Sequence, residues 1–216
     1  MNQNNKIRWF EILAVVFTGI FKFLFVNVLE LQFLFITLSI LFWGIYIIYR
    51  KKRNTNILKY WGFTRVHFFK AFKMAGIFAG ILIGFFTANA IFNQYPLFNI
   101  HLLYVLLLYP IWGLIQQFMM MSLILGNLKD ISSSKRIPEM VYVLITSVLF
   151  SAVHFPSVIL MIITFILALY YSQIFLRYRN LYALGIFHGW IGSFFYYYVL
   201  NYDSWEKIVL PLLNSF

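Results

Sequence analysis

Residues 100–122 read IHLLYVLLLYPIWGLIQQFMMMS, a run without Asp, Glu, Lys or Arg. An α-helix rises about 1.5 Å per residue, so about 20 apolar residues cross the hydrocarbon core of a bilayer. The run is long enough, and its reading decides the fold class: a membrane-spanning helix. Its middle raises a second question. Gln116 and Gln117 stand side by side there, and polar groups at membrane depth usually face the interior of a bundle.

The rest of the chain agrees with the first reading. Of 216 residues, 62% are hydrophobic and only 11% are charged, against about 25% charged in soluble domains. Apolar runs predict seven spans, at about 9–29, 31–49, 74–93, 100–122, 138–154, 157–176 and 181–200. The expected fold is all-α, a polytopic membrane helical bundle of about seven transmembrane helices. Its expected parts are an N-terminal hairpin with a basic interfacial segment (1–73) and a transmembrane core with a C-terminal tail (74–216). The hairpin turns at Glu30, and Pro156 breaks the chain between the fifth and sixth spans. Residues 50–73 mix Lys and Arg with aromatics and read as a loop leading into an interfacial helix. Lys129 to Arg136, with Ser132, Ser133 and Ser134, is the one linker-like stretch.

The formal charge is +11, so a nucleic-acid partner has to be weighed. The basic residues lie between apolar runs and form no separate basic domain. Membrane lipid is therefore the expected partner, and nucleic acid is not. Segments 1–8, 50–73, 123–137 and 177–180 hold fifteen of the seventeen Lys and Arg. By the positive-inside rule the chain is an integral membrane protein with a cytoplasmic N-terminus. Lys6 and Arg8 precede an apolar run with no evident cleavage site, so a retained first span is expected rather than a signal peptide. Lys22 has no obvious partner. It either snorkels or shows the first span to be misplaced. With no cysteine, thiol chemistry is excluded.

Three polar faces stand out. Gly113, Gln116, Gln117 and Met120 share a face of span four at helical spacing. Ser147, Phe150, Ser151 and His154 do so on span five. Gly185, His188, Gly189, Gly192 and Ser193 do so on span seven, where Gly185 and Gly189 allow close helix approach. Each has a plain packing explanation. Together they imply a polar pocket within the membrane. Two imidazoles without thiolate or carboxylate make a poor zinc site, so neither metal nor cofactor is expected. Ser151 and Ser193 are possible nucleophiles beside a histidine, but spans four to seven offer no carboxylate to orient one.

The order and spacing of these clusters resemble the CPBP family of intramembrane proteases, which contains the type II CAAX prenyl proteases and bacterial Abi-type proteins. That family carries Glu-Glu-x-x-x-Arg, then Phe-x-x-x-His, then His-x-x-x-Asn. Phe150-Ser151-Ala152-Val153-His154 matches the second motif, and His188-Gly189-Trp190-Ile191-Gly192 matches the start of the third, with Gly192 in place of Asn. The first falls on Gln116-Gln117-Phe118-Met119-Met120-Met121. The resemblance covers about residues 100–200 and implies catalytic positions at Gln116, Gln117, His154 and His188. Phe150, Ser151 and Gly192 would line the pocket. It also implies a membrane-embedded or lipidated peptide as partner, and the bacterial plasma membrane as location.

In the family a motif-one glutamate is thought to activate the attacking water, and His and Asn to stabilise the oxyanion. A glutamine amide cannot accept the proton, and Met121 replaces the arginine. The pocket looks neutralised as a unit, since an arginine left without its carboxylates would be costly. Three readings stay open: a pseudoprotease that binds a membrane peptide, a divergent protease using His154 or His188 as base, and an unrelated small-solute transporter. One difficulty accompanies them. The span limits put Gln116 and His188 toward the cytoplasmic half but His154 near the outer end.

Overall fold

The computed structural model describes residues 3–132 and 137–210. Among these, all regular structure is helical. Helix α1 (Gln3–Lys22) runs on as a π-helical turn, Phe23–Val28. Next come α2 (Gln32–Arg53), the short α3 (Ile57–Trp61) and α4 (Phe68–Phe92). Helix α5 (Ile100–Gln117) continues through a π-helical segment, Phe118–Gly126, into α6 (Asn127–Ile131). Then follow α7 (Glu139–Ala152), α8 (Val158–Tyr178) and α9 (Leu181–Tyr198), before a π-helical turn at Trp205–Val209.

Five segments are long and apolar enough to cross a membrane: Asn5–Val28, Gln32–Arg53, Phe68–Phe92, Ile100–Ile131 and Val158–Tyr178. The protein is an all-α membrane bundle. All seven expected spans fall on helices, but the fifth and seventh, α7 (14 residues) and α9 (18 residues), are not among those five. Large side chains such as Phe69, Phe85, Phe92, Phe98 and Leu107 lie on the outside. In water such a surface would be an aggregation hazard, whereas in lipid it is solvated. Packing inside cannot then rest on the hydrophobic effect. It depends on van der Waals fit, close backbone approach and hydrogen bonds.

The fourth span departs from its expected end at residue 122. The helical rod continues to Ile131, 32 residues in all, about 48 Å at 1.5 Å per residue. Gly126, Asn127 and Asp130 fall within this extension. Here Asn127 is buried and donates to Glu11 Oε2 at 2.7 Å, so tertiary partners carry the helix past them. The linker-like stretch therefore shrinks at its start, since Lys129 to Ile131 are helical. Ser133, Ser134, Lys135 and Arg136 lie outside the described residues.

The basic segment 50–73 holds one short helix of its own. Its ends belong to α2 and α4. Between them α3 is docked: Ile57 and Trp61 are buried, and the Ser122 hydroxyl donates to the Trp61 carbonyl at 2.5 Å. Trp61, Trp43 and Phe118 pack edge to face at 4.9–6.0 Å. This aromatic cluster holds the start of the π-helical segment, one residue after Gln117.

Candidate functional site

The site is set by a backbone-to-backbone crossing of α5 and α9. A Cβ on Gly113 would lie 2.6 Å from the Gly185 carbonyl oxygen and 2.8 Å from the Gly189 nitrogen. A Cβ on Gly189 would lie 2.5 Å from the Pro110 nitrogen. No side chain fits between the helices, and Pro110 adds no N–H that would need a partner there. The small-residue face read at Gly185 and Gly189 thus meets Gly113 and Pro110.

One turn along the crossing, Gln117 Nε2 donates to His188 Nδ1 at 2.6 Å. Both residues are buried. Nδ1 accepts, so the ring proton of His188 is on Nε2. Gln117 Oε1 is buried with no partner. The pair is neutral, and one acceptor in it is unused.

His154 lies just past the end of α7. Its Nδ1–H donates to the Phe150 carbonyl at 2.7 Å, which leaves the lone pair on Nε2. Phe150 stands between the two imidazoles, with centroids 5.0 Å from His154 and 5.5 Å from His188, both edge to face. The expected difficulty of depth disappears with the revised helix lengths. Gln116 sits near the middle of the 32-residue rod, and His154, just past the end of α7, shares a cavity with it.

Gln116, His154, His188 and Gly192 line one cavity of about 300 Å³, together with Tyr109 and Lys22. Gln117 is not in its wall but lies behind His188. At Gly192, a Cβ would come within 2.7 Å of Tyr109 Cε1. The tyrosine ring therefore occupies the room that an asparagine would need. Phe150 is not in the wall either, nor is Ser151. Its hydroxyl turns to α8 and donates to the Met161 carbonyl at 2.8 Å. Ser193 and Ser147 donate to carbonyls of their own helices, Gly189 and Val143, each at 2.8 Å. None of these serines is hydrogen-bonded to a histidine.

Met121, expected to stand where the family motif has arginine, is fully buried, with Ser172 Oγ at 3.7 Å from its sulfur. The cavity does have a cation, from an element that carries no motif. Lys22 Nζ donates to Asn27 Oδ1 at 3.2 Å and to the Phe155 carbonyl at 3.4 Å. Lys22 thus has acceptors that its sequence neighbourhood does not reveal as a cavity wall. Its position seven residues before the α1–α2 turn was the available signal, but only the tertiary fold brings it to His154.

Residues 96–194 match the family model for type II CAAX prenyl endopeptidases, described as Rce1-like. The match spans all three motif positions. No curated protein and no solved structure matches the chain.

Proposed function

Proceeding from homology to CAAX-type intramembrane proteases, we propose that this protein is a pseudoprotease. It holds a lipidated or membrane-embedded peptide in the cavity between α5, α8, α9 and the loop that follows α7, and does not cut it. A scaffold, immunity or regulatory role follows from binding without turnover. The observation that carries the reading is the neutral Gln117–His188 pair. Where the family has a carboxylate able to take a proton from water, an amide here donates to the imidazole, and no general base results. The basic end of the bundle, with Arg8, Arg50 and Lys129, faces the cytoplasm in this reading.

One observation favours a second reading. The bond from His154 Nδ1–H to Phe150 fixes Nε2 as the basic nitrogen of a cavity-lining imidazole. A water held there would give a weak His-based endopeptidase. Purified protein assayed on prenylated and unprenylated peptides separates the two. The pseudoprotease reading expects binding without cleavage, and gain of cleavage in a Gln116→Glu, Gln117→Glu, Met121→Arg variant. Cleavage by the wild type that disappears in His154→Ala would overturn it.

A further inference from the structure

Lys22 is a charge placed in the outer part of a membrane helix without a counter-ion. Among the described residues the ion pairs are Arg8–Asp130, Arg50–Glu11, His101–Asp203 and Lys129–Glu139, and none involves Lys22. Its two acceptors are a neutral amide and a backbone carbonyl, the second at the long limit of a hydrogen bond. Neither offsets the charge. The cavity it lines contains no Asp or Glu, yet its wall holds Asn27, Gln32, Gln116, Tyr109 and Ser157. These side chains supply N–H and O–H donors. A cation beside groups that can also donate, with no anion among them, is complementary to an anionic oxygen group. An uncompensated charge at membrane depth is costly, so such a ligand would be stabilised there.

The surroundings indicate what the anion is attached to. Phe35 belongs both to this cavity and to a groove of about 400 Å³ between α1 and α2. That groove is lined by Phe17, Phe21, Leu38 and Phe42, with Thr18 and Ser39 as its polar side chains. Thr18 is already engaged, donating to the Ala14 carbonyl at 2.9 Å. A peptide laid there would leave its backbone N–H and C=O groups unsatisfied, whereas an acyl chain has none.

We propose that the Lys22 end of the cavity binds an anionic acyl lipid. Its carboxylate or phosphate head lies at Lys22 Nζ and Asn27, and its chain runs past Phe35 into the α1–α2 groove. The inference rests on the reading of the cavity as membrane-embedded, and not on whether a peptide is held or cut at the Gln117–His188 end. A lipid bound in this way would occupy the approach to that end and regulate it.

Native mass spectrometry of the full chain released from detergent tests this with three single-chain probes: oleate, oleoyl lysophosphatidate and oleoyl lysophosphatidylcholine. Either or both anionic probes should bind on the order of tenfold more tightly than the zwitterion, the size expected of a charge pair screened by its partly polar surroundings. Oleate and lysophosphatidate compared with each other tell a carboxylate head from a phosphate head. Lys22→Gln should abolish the preference, Lys22→Arg should keep it, and Lys52→Gln, at the exposed end of α2, should leave it unchanged. Equal binding of all three probes by the wild type needs no variant and overturns the inference. So does a preference that survives Lys22→Gln, or Lys22-dependent binding of a peptide through its free carboxylate without any charge preference among the lipids. Peptide cleavage is measured separately, so failure of the pseudoprotease reading and failure of this inference are distinct results.

Discussion

The amide nitrogen of Gln117 lies 2.6 Å from Nδ1 of His188, with both side chains buried. Removing the amide leaves a buried ring nitrogen without a partner. An unmade buried hydrogen bond costs about 1–3 kcal/mol. Gln117→Ala should therefore lower the thermal midpoint in detergent by more than Gln117→Glu, whose carboxylate oxygen can accept from Nδ1 once the ring proton moves there from Nε2. The order of the two midpoints is the test. Equal losses would mean that the contact contributes only volume.

The α5–α9 crossing should tolerate no side chain. Gly113→Ala and Gly189→Ala would each place a methyl within 2.5–2.8 Å of backbone atoms. Backbone cannot yield as a flexible side chain does, so each change should cost at least the overpacking range of about 1–3 kcal/mol. Gly80→Ala is the control, because a Cβ there meets nothing within 4 Å. It should be neutral or slightly stabilising, since glycine weakens a helix. Midpoints of the three variants by scanning fluorimetry decide the matter.

The sequence made the bundle legible because apolar run length is a one-dimensional signal, and lipid imposes it strongly. It made Gln116, His154, His188 and Gly192 legible as candidates because polar and small residues at helical spacing stand out in apolar runs, and these four line one cavity. Three features were not legible. The extension of the fourth span to Ile131 depends on Asn127 and Asp130 finding partners more than a hundred residues away, Asn127 at Glu11 and Asp130 at Arg8. Lys22 reaches the cavity because Gly19, one turn earlier on α1, lies against Val153 just past the end of α7, where a Cβ on Gly19 would be 2.8 Å from Val153 Cγ1. Ser151 shares a helical face with His154, but a hydroxyl follows the nearest free carbonyl, and that belongs to Met161 on α8.

At the end of the bundle away from the basic clusters, Asp203 follows α9 and ties the chain back to α5. It accepts from His101 Nδ1 at 2.7 Å, Asn99 at 2.8 Å and the Tyr197 hydroxyl at 2.5 Å. Burial would raise its carboxyl, but these bonds and the Glu206 N–H outweigh burial and hold it at about 2, below the ordinary 3.8. A depressed folded value means that the fold favours the ionised form. The stabilisation is complete above the ordinary value and is lost as pH falls through it toward the folded one. The thermal midpoint should therefore drop between about pH 4 and pH 2. Asp203→Asn should be less stable at pH 7 and should show a shallower drop in that window. A variant with an unchanged acid limb would show that another carboxylate controls it.

The strongest ion pair should be the least exposed one. Glu11, 5% exposed, pairs with Arg50 and also accepts from the Tyr46 hydroxyl and from Asn127 Nδ2. The network ties α1 to α2 and to the far end of the 32-residue rod. Breaking a buried pair from one side strands the other charge and costs about 3–5 kcal/mol. Glu11→Ala should approach that loss. Arg8–Asp130, about one-quarter exposed on each side, belongs to the class of pairs that contribute about 1 kcal/mol or less. Asp130→Ala should accordingly be milder, with the lost bond from Tyr60 adding to its effect. Because the stranded charge is the cost, a Glu11→Ala, Arg50→Met double variant should be more stable than Glu11→Ala alone. Midpoints of the two single variants and the double variant give the answer. A double variant no better than the single would mean that the network works through shape and not through charge.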